Sequence, residues 1–189
     1  MVDGAMATPS SMLPLGTALP PVRLKDAVGG GVVDVNALAK GKRGTVVMFI
    51  CNHCPYVVHI QQALGRVAND AVDKGFAVVA INANDVATYP QDGPEAMARL
   101  ARAESWRFPF LFDESQGVAR AFDAQCTPDL YVFDGGGKLA YRGQFDDSRP
   151  RSGKAVTGRD LSAAIEAIHA GRTPSAEQVP SVGCGIKWR

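Results

Sequence analysis

The chain has 189 residues, enough for one domain with a full hydrophobic core, and with 46% hydrophobic and 21% charged residues its composition is globular, not disordered. Twenty Lys and Arg balance 19 Asp and Glu, and the resulting net charge of +1 gives no bulk attraction to nucleic acid or to an acidic membrane. Four cysteines are too few for a disulfide scaffold but enough for a redox or metal site.

In chain order, Met1 to Leu24 holds one acid, Asp3, and no base before Arg23, while Pro9, Pro14, Pro20 and Pro21 break any apolar run. That pattern is not a secretory signal, so residues 1–12 read as a flexible lead and the protein as cytoplasmic. One domain is expected over residues 13–172, followed by an irregular tail over 173–189 that packs on it. The 22 residues 44–65 contain no charged side chain, but Asn52, His53, Pro55, His59, Gln61 and Gln62 exclude a membrane span. This stretch opens with a β-branched run, Thr45 to Ile50, that reads as a buried strand. Cys51-Asn-His-Cys-Pro55 follows, and then Val57, Ile60, Leu64, Val67, Ala68 and Ala71 recur at helical spacing up to Gly75. Pro55 suits the first helical position, which makes Cys54 the N-cap. Phe76 to Ile81 is a second buried strand, so the unit is strand–helix–strand with a parallel crossover.

Asp92 and Glu95 have capping-box spacing before a helix carrying Met97, Leu100 and Ala101. Phe108 to Phe112 reads as a strand, and Asp113 and Gln116 open a short helix with Val118 and Phe122 on one face. Leu130 to Phe133 and Lys138 to Arg142 read as a hairpin around Asp134-Gly-Gly-Gly137. A loop over 143–158 leads to a last amphipathic helix with Leu161, Ala164, Ile165 and Ile168, stopped by Gly171. The fold class is α/β with a mixed sheet, the α-β-α segment being an insertion between the first unit and the hairpin.

The chemistry points to Cys54. A thiol at a helix N-terminus meets the positive end of the dipole and free N–H groups, which favour the thiolate, the nucleophilic form. Protonated His53 would act in the same sense. Cys51-x-x-Cys54 is a candidate redox pair, with a packing role for Cys51 as the bland alternative. One CxxC with Cys126 and Cys184 distant and unpaired is a weak zinc pattern; no metal and no cofactor are expected. His59 and His169 read as surface residues.

Phe49-Ile-Cys-Asn-His-Cys-Pro-Tyr-Val57 resembles the active-site turn of the thioredoxin superfamily and of its redoxin group, which includes alkyl hydroperoxide reductase and thiol-specific antioxidant proteins. The likeness is strongest to bacterial peroxiredoxin-like, thioredoxin-fold proteins. It extends to Ile81-Asn-Ala-Asn-Asp85, Cys126-Thr-Pro-Asp129, Tyr141-Arg-Gly-Gln-Phe-Asp-Asp147 and Pro180 to Trp188. The resemblance implies a thioredoxin fold with a redoxin-type N-terminal extension, Cys54 as nucleophile, and Thr127-Pro128 as a cis-proline loop facing it. The second thioredoxin cysteine, and equally the peroxidatic cysteine of peroxiredoxins, falls at Val57; the buried thioredoxin acid falls at Met48; the peroxiredoxin arginine is replaced by Thr127-Pro-Asp129. The expected resolving partners of Cys54 are Cys51, Cys126 and Cys184, in that order.

These readings converge on a thiol oxidoreductase of antioxidant type, acting on disulfides or peroxides. Its partners would be a thiol or disulfide protein or a small-molecule reductant, with no nucleic acid or membrane and a homodimer as an option. The alternatives are a thioredoxin-fold binding or sensing protein without turnover, and a Cys/His metal-binding protein.

Overall fold

The computed structural model describes residues 7–189. In chain order the elements are β1 (Ala7–Pro9), β2 (Arg23–Asp26), β3 (Val32–Asp34), α1 (Val35–Leu38), β4 (Gly44–Phe49), α2 (Pro55–Asp73), β5 (Ala77–Asn82), α3 (Pro94–Ala103), β6 (Phe110–Phe112), α4 (Gly117–Ala121), β7 (Cys126–Thr127), β8 (Asp129–Asp134), β9 (Leu139–Gly143), α5 (Arg159–His169) and β10 (Val182–Gly185). Seven strands form one mixed sheet in the order β3-β2-β6-β5-β4-β8-β9. β4, β5 and β6 run parallel, while β8 pairs antiparallel with β4 and with β9. A small second sheet, β1-β10-β7, is antiparallel.

The pleat of β4 distributes its side chains between two cores. Val46, Met48 and Ile50 face the layer that contains α2, α3 and α5, and Val47 and Phe49 face the opposite layer with Phe122, Tyr131 and Phe133. Both faces of the central strands are thus covered, which is why β4 and β5 read as unbroken apolar runs. Helix α2 lies close enough to Trp106 that a Cβ on Gly65 would meet the indole Nε1 at 2.5 Å. Gly171, at φ +72°, ends the chain's last helical segment as expected.

The architecture matches the expected α/β class, and α3-β6-α4 is the expected insertion. Several elements differ from expectation. Of the lead expected over 1–12, residues 1–6 lie outside the described residues; Ala7–Pro9 is a strand, and Ser10 N–H bonds to Ser181 O at 2.8 Å. The tail contains β10, which β1 and β7 clasp from both sides. The β2–β3 hairpin has no counterpart in the sequence reading; its strands bury only alternate side chains, and those partly. Asp92 does not cap α3. Gly93 takes the N-cap and Pro94 the first helical position, while Asp92 ends a 3-10 turn, Pro90–Asp92, and is fully buried. Gln116, in the left-handed region at φ +61°, caps α4. Among the described residues, no helix is long and apolar enough to cross a membrane.

Candidate active site

The site forms where β4 ends and α2 begins. Cys54 is the N-cap of α2, with extended backbone and Pro55 immediately inside the helix, as the spacing predicts. Its side chain has no exposed surface. The sulfur lies 3.1 Å from the carbonyl oxygen of Thr127, which accepts from the protonated thiol. The thiolate has donors of its own. The Cys184 and Cys51 thiols donate to it, in that order of effect, and with the Thr127 hydroxyl and the Val57 N–H they outweigh burial and hold Cys54 well below the ordinary thiol range. The donating thiols move the other way. Cys51 is raised by its bond to Cys54, by burial and by the charge of Asp92; Cys184 is raised first by its bond to Cys54. The ionisable proton thus leaves Cys54 first and stays on its neighbours.

The peptide Thr127-Pro128 is cis. It presents Thr127 to both cysteines: the Thr127 hydroxyl lies 3.5 Å from Cys51 Sγ, and the carbonyl faces Cys54. β10 reaches this loop because Gly183 has no side chain. A Cβ there would stand 2.0 Å from Thr127 O. In the β10–β7 register Cys184 is opposite Thr127, so the close approach at Gly183 brings Cys184 over the Cys54 sulfur.

The structure therefore assembles three of the four candidate cysteines and separates the fourth. Cys126 is buried with its sulfur 3.5 Å from Pro128 O; burial, then Asp129, pushes its thiol up. It is not among the thiols that bond Cys54, which reverses the expected order of Cys126 and Cys184 as its neighbours. All four thiols are free.

His53 was expected to act on Cys54, but its ring is engaged elsewhere. Nδ1 lies 2.6 Å from Asp92 Oδ2, and the ring stacks on Tyr89 with centroids 5.3 Å apart and planes 3° from parallel. Asp92 Oδ1 accepts the N–H groups of Asn52 at 2.8 Å and His53 at 3.3 Å; Oδ2 also accepts the Asn84 amide at 2.9 Å. A thiol, a ring nitrogen and a carboxylate, from Cys51, His53 and Asp92, thus stand within 4.8 Å of one another. With four N–H donors already on its two oxygens, Asp92 is built to hold protonated groups and not to coordinate a cation. Asp92, Asn84 and Tyr89 are the site residues that sequence reasoning missed. His59 is half-buried and bonds Ser148 Oγ at 3.1 Å, and His169 is likewise only partly exposed, so neither is the plain surface residue expected.

A narrow cleft runs beside Pro128, between Tyr56, His59 and the loop Gln144–Pro150, with Ser181 and Val182 as one wall.

Residues 14–157 match the family model Redoxin. The chain belongs to the redoxin family. It is similar over 98% of its length to 98% of an uncharacterized conserved protein from Geobacillus kaustophilus, with 49% identity and a TM-score of 0.94. A hypothetical protein from Sinorhizobium meliloti 1021 has 43% identity over 96% of this chain and 98% of its own, with a TM-score of 0.92. The thioredoxin domain of a thiol-disulfide oxidoreductase from Bacteroides vulgatus, 20% identical over 82% of this chain and 97% of its own, superposes with a TM-score of 0.62 and establishes the thioredoxin-like fold. No curated protein matches the chain. The redoxin resemblance read from the sequence is therefore correct, and membership in this family supports a thiol redox function.

Proposed function

We propose that this redoxin is a thiol–disulfide oxidoreductase with Cys54 as its nucleophile. The observation that carries the reading is a buried N-cap cysteine, Cys54, that faces Thr127 across 3.1 Å and is held well below the ordinary thiol range by the neighbouring Cys184 and Cys51 thiols. Cys54 thiolate attacks a substrate disulfide; the substrate S–S bond breaks, and its electron pair leaves on the distal sulfur as a thiolate. A neighbouring thiol then gives up its proton and attacks Cys54 Sγ. The second substrate sulfur leaves as thiolate, and the protein keeps an internal disulfide. Two electrons have passed to the substrate, and an external dithiol restores the protein.

This geometry favours disulfides over peroxides. A peroxide needs a cation or strong donor aimed at its O–O bond, whereas the groups around Cys54 are thiols, a hydroxyl and backbone. Since Cys54 has no exposed surface, the substrate enters by the cleft beside Pro128 as the tail strand yields. The test is exchange with oxidised glutathione followed by peptide mapping. The wild-type chain is expected to lose two thiols, Cys54 and either Cys51 or Cys184, to one internal disulfide. Cys54→Ser is expected to lose the exchange; wild-type exchange by that variant overturns the reading.

A further inference from the structure

The two thiols beside Cys54 do not have equal means of losing a proton. The largest charge effects on Cys184 come from Cys54, Lys187 and Cys126. Cys51 has a carboxylate and an imidazole within 4.8 Å, those of Asp92 and His53. Asp92 fixes the ring: it is fully buried, it accepts two consecutive backbone N–H groups from the Asn52–His53 segment, and its second oxygen bonds His53 Nδ1. Tyr89 stacks flat on the ring, and the Lys187 ammonium lies 5.6 Å from the Tyr89 centroid. With Nδ1–H donated to Asp92, the unshared pair of the neutral ring is on Nε2. The ring is 27% exposed, so a proton taken up there can pass to water. Cys51 Sγ and a ring nitrogen of His53 lie within 4.8 Å of each other, a span that a direct bond or a single bridging water covers.

We propose that His53, positioned by Asp92, takes the proton of Cys51 as Cys51 attacks Cys54 Sγ, and that Cys51 rather than Cys184 is the resolving thiol. The proposal rests on the exchange reading above and assigns roles within that site. The proton moves from Cys51 Sγ to the unprotonated ring nitrogen of His53, directly or through a water, the Cys51–Cys54 bond forms, and the substrate sulfur leaves with the electron pair of the broken mixed disulfide. Asp92 faces the imidazolium so formed. Met48 carries no carboxylate; the His53–Asp92 pair supplies the base.

The probe is 5,5′-dithiobis(2-nitrobenzoate), whose two coloured thiolates leave one at a time. The first release reports attack by Cys54 and the second reports resolution. In Cys184→Ala, resolution by Cys51 is isolated; in Cys51→Ala, resolution by Cys184 is isolated. Adding His53→Gln to the first is expected to slow the second release roughly a hundredfold, within the usual range of general-base catalysis. It should also remove the inflection from the pH profile, and imidazole in the buffer should restore part of the rate in His53→Ala. The same substitution in Cys51→Ala should leave the second release unmoved. Equal slowing in both backgrounds, or an unchanged rate and pH profile, overturns the proposal. Absence of the first release overturns the exchange reading itself and the proposal with it.

Discussion

Cys51 and Cys184 both donate to the Cys54 sulfur, yet the chain holds them in unlike ways. Cys51 follows β4, a six-residue strand hydrogen-bonded by β5 on one side and β8 on the other, and the next residue's N–H is fastened to buried Asp92. Cys184 sits in a four-residue strand whose sheet partners, among the described residues, are three-residue β1 and two-residue β7. Local opening costs least where few backbone bonds and contacts must break. The frame therefore carries the thiol that must be aimed, and the peripheral sheet carries the one that must step aside. In the proposed exchange, covering the nucleophile and resolving it are separable tasks that fall to different cysteines.

The largest effect on this contrast is expected from Asp92→Ala. It strands two backbone N–H groups, an imidazole and an amide around a fully buried position, at a cost of about 3–5 kcal/mol. Urea unfolding at constant m-value measures it. A loss within error would mean that the Cys51 side is not the rigid one.

Gly183→Ala comes next. Its Cβ would collide with Thr127 O at 2.0 Å, a backbone atom that cannot swing away, at a cost of about 1–3 kcal/mol. The opening should be local: hydrogen exchange rises in β1 and β10 and stays slow in β4. Uniform acceleration would show that the two regions open as one.

A smaller effect separates the donors themselves. Cys184→Ala and Cys51→Ala each remove a thiol that stabilises the Cys54 thiolate, so both should move the pH midpoint of iodoacetamide labelling at Cys54 upward, Cys184→Ala by more. The reverse order would make Cys51 the dominant donor.

The last effect is on stability against pH. Cys54 is depressed in the folded chain, so between its folded value and about 8.5, the ordinary thiol value, the unfolded chain binds a proton that the folded chain does not. Reduced protein should gain stability as pH rises through the neutral range. Above about 8.5 the raised values of Cys51 and Cys184 reverse the slope. Cys54→Ser should flatten the neutral part of the curve. A curve unchanged by that substitution would place the thiolate on another cysteine.

The contrast also divides what could be read in advance. The strand before Cys54, the N-cap cysteine and Pro55 follow from local pattern, because alternation along β4 and helical spacing along α2 are properties of contiguous residues. The cis form of Thr127-Pro128 followed from resemblance and is present. The role of Asp92 was hidden by a local rule it satisfies: three residues before Glu95 it looks like a cap, and only the packed turn shows that Pro94 and Gly93 start the helix without it. Cys184 ranked last among the partners because 130 residues separate it from Cys54, and pairing across such a distance leaves no mark in either segment. β2, β3 and β1 were missed for a third reason. Strands of three or four residues with half-exposed faces carry too few side chains to display a period.

The clasp of β10 between β1 and β7 has a further consequence for the order in which the molecule is made. Chains fold from the N-terminus as they are synthesised. The sheet partners of β4, which are β5 and β8, precede α5, whereas the cover over Cys54 needs Val182–Gly185. Until Val182–Gly185 docks, Cys54 lacks both its cover and its first-ranked donor, the Cys184 thiol. A chain stalled before Val182 should consequently be more accessible at Cys54, with a higher pH midpoint of alkylation, than a chain in which β10 has docked.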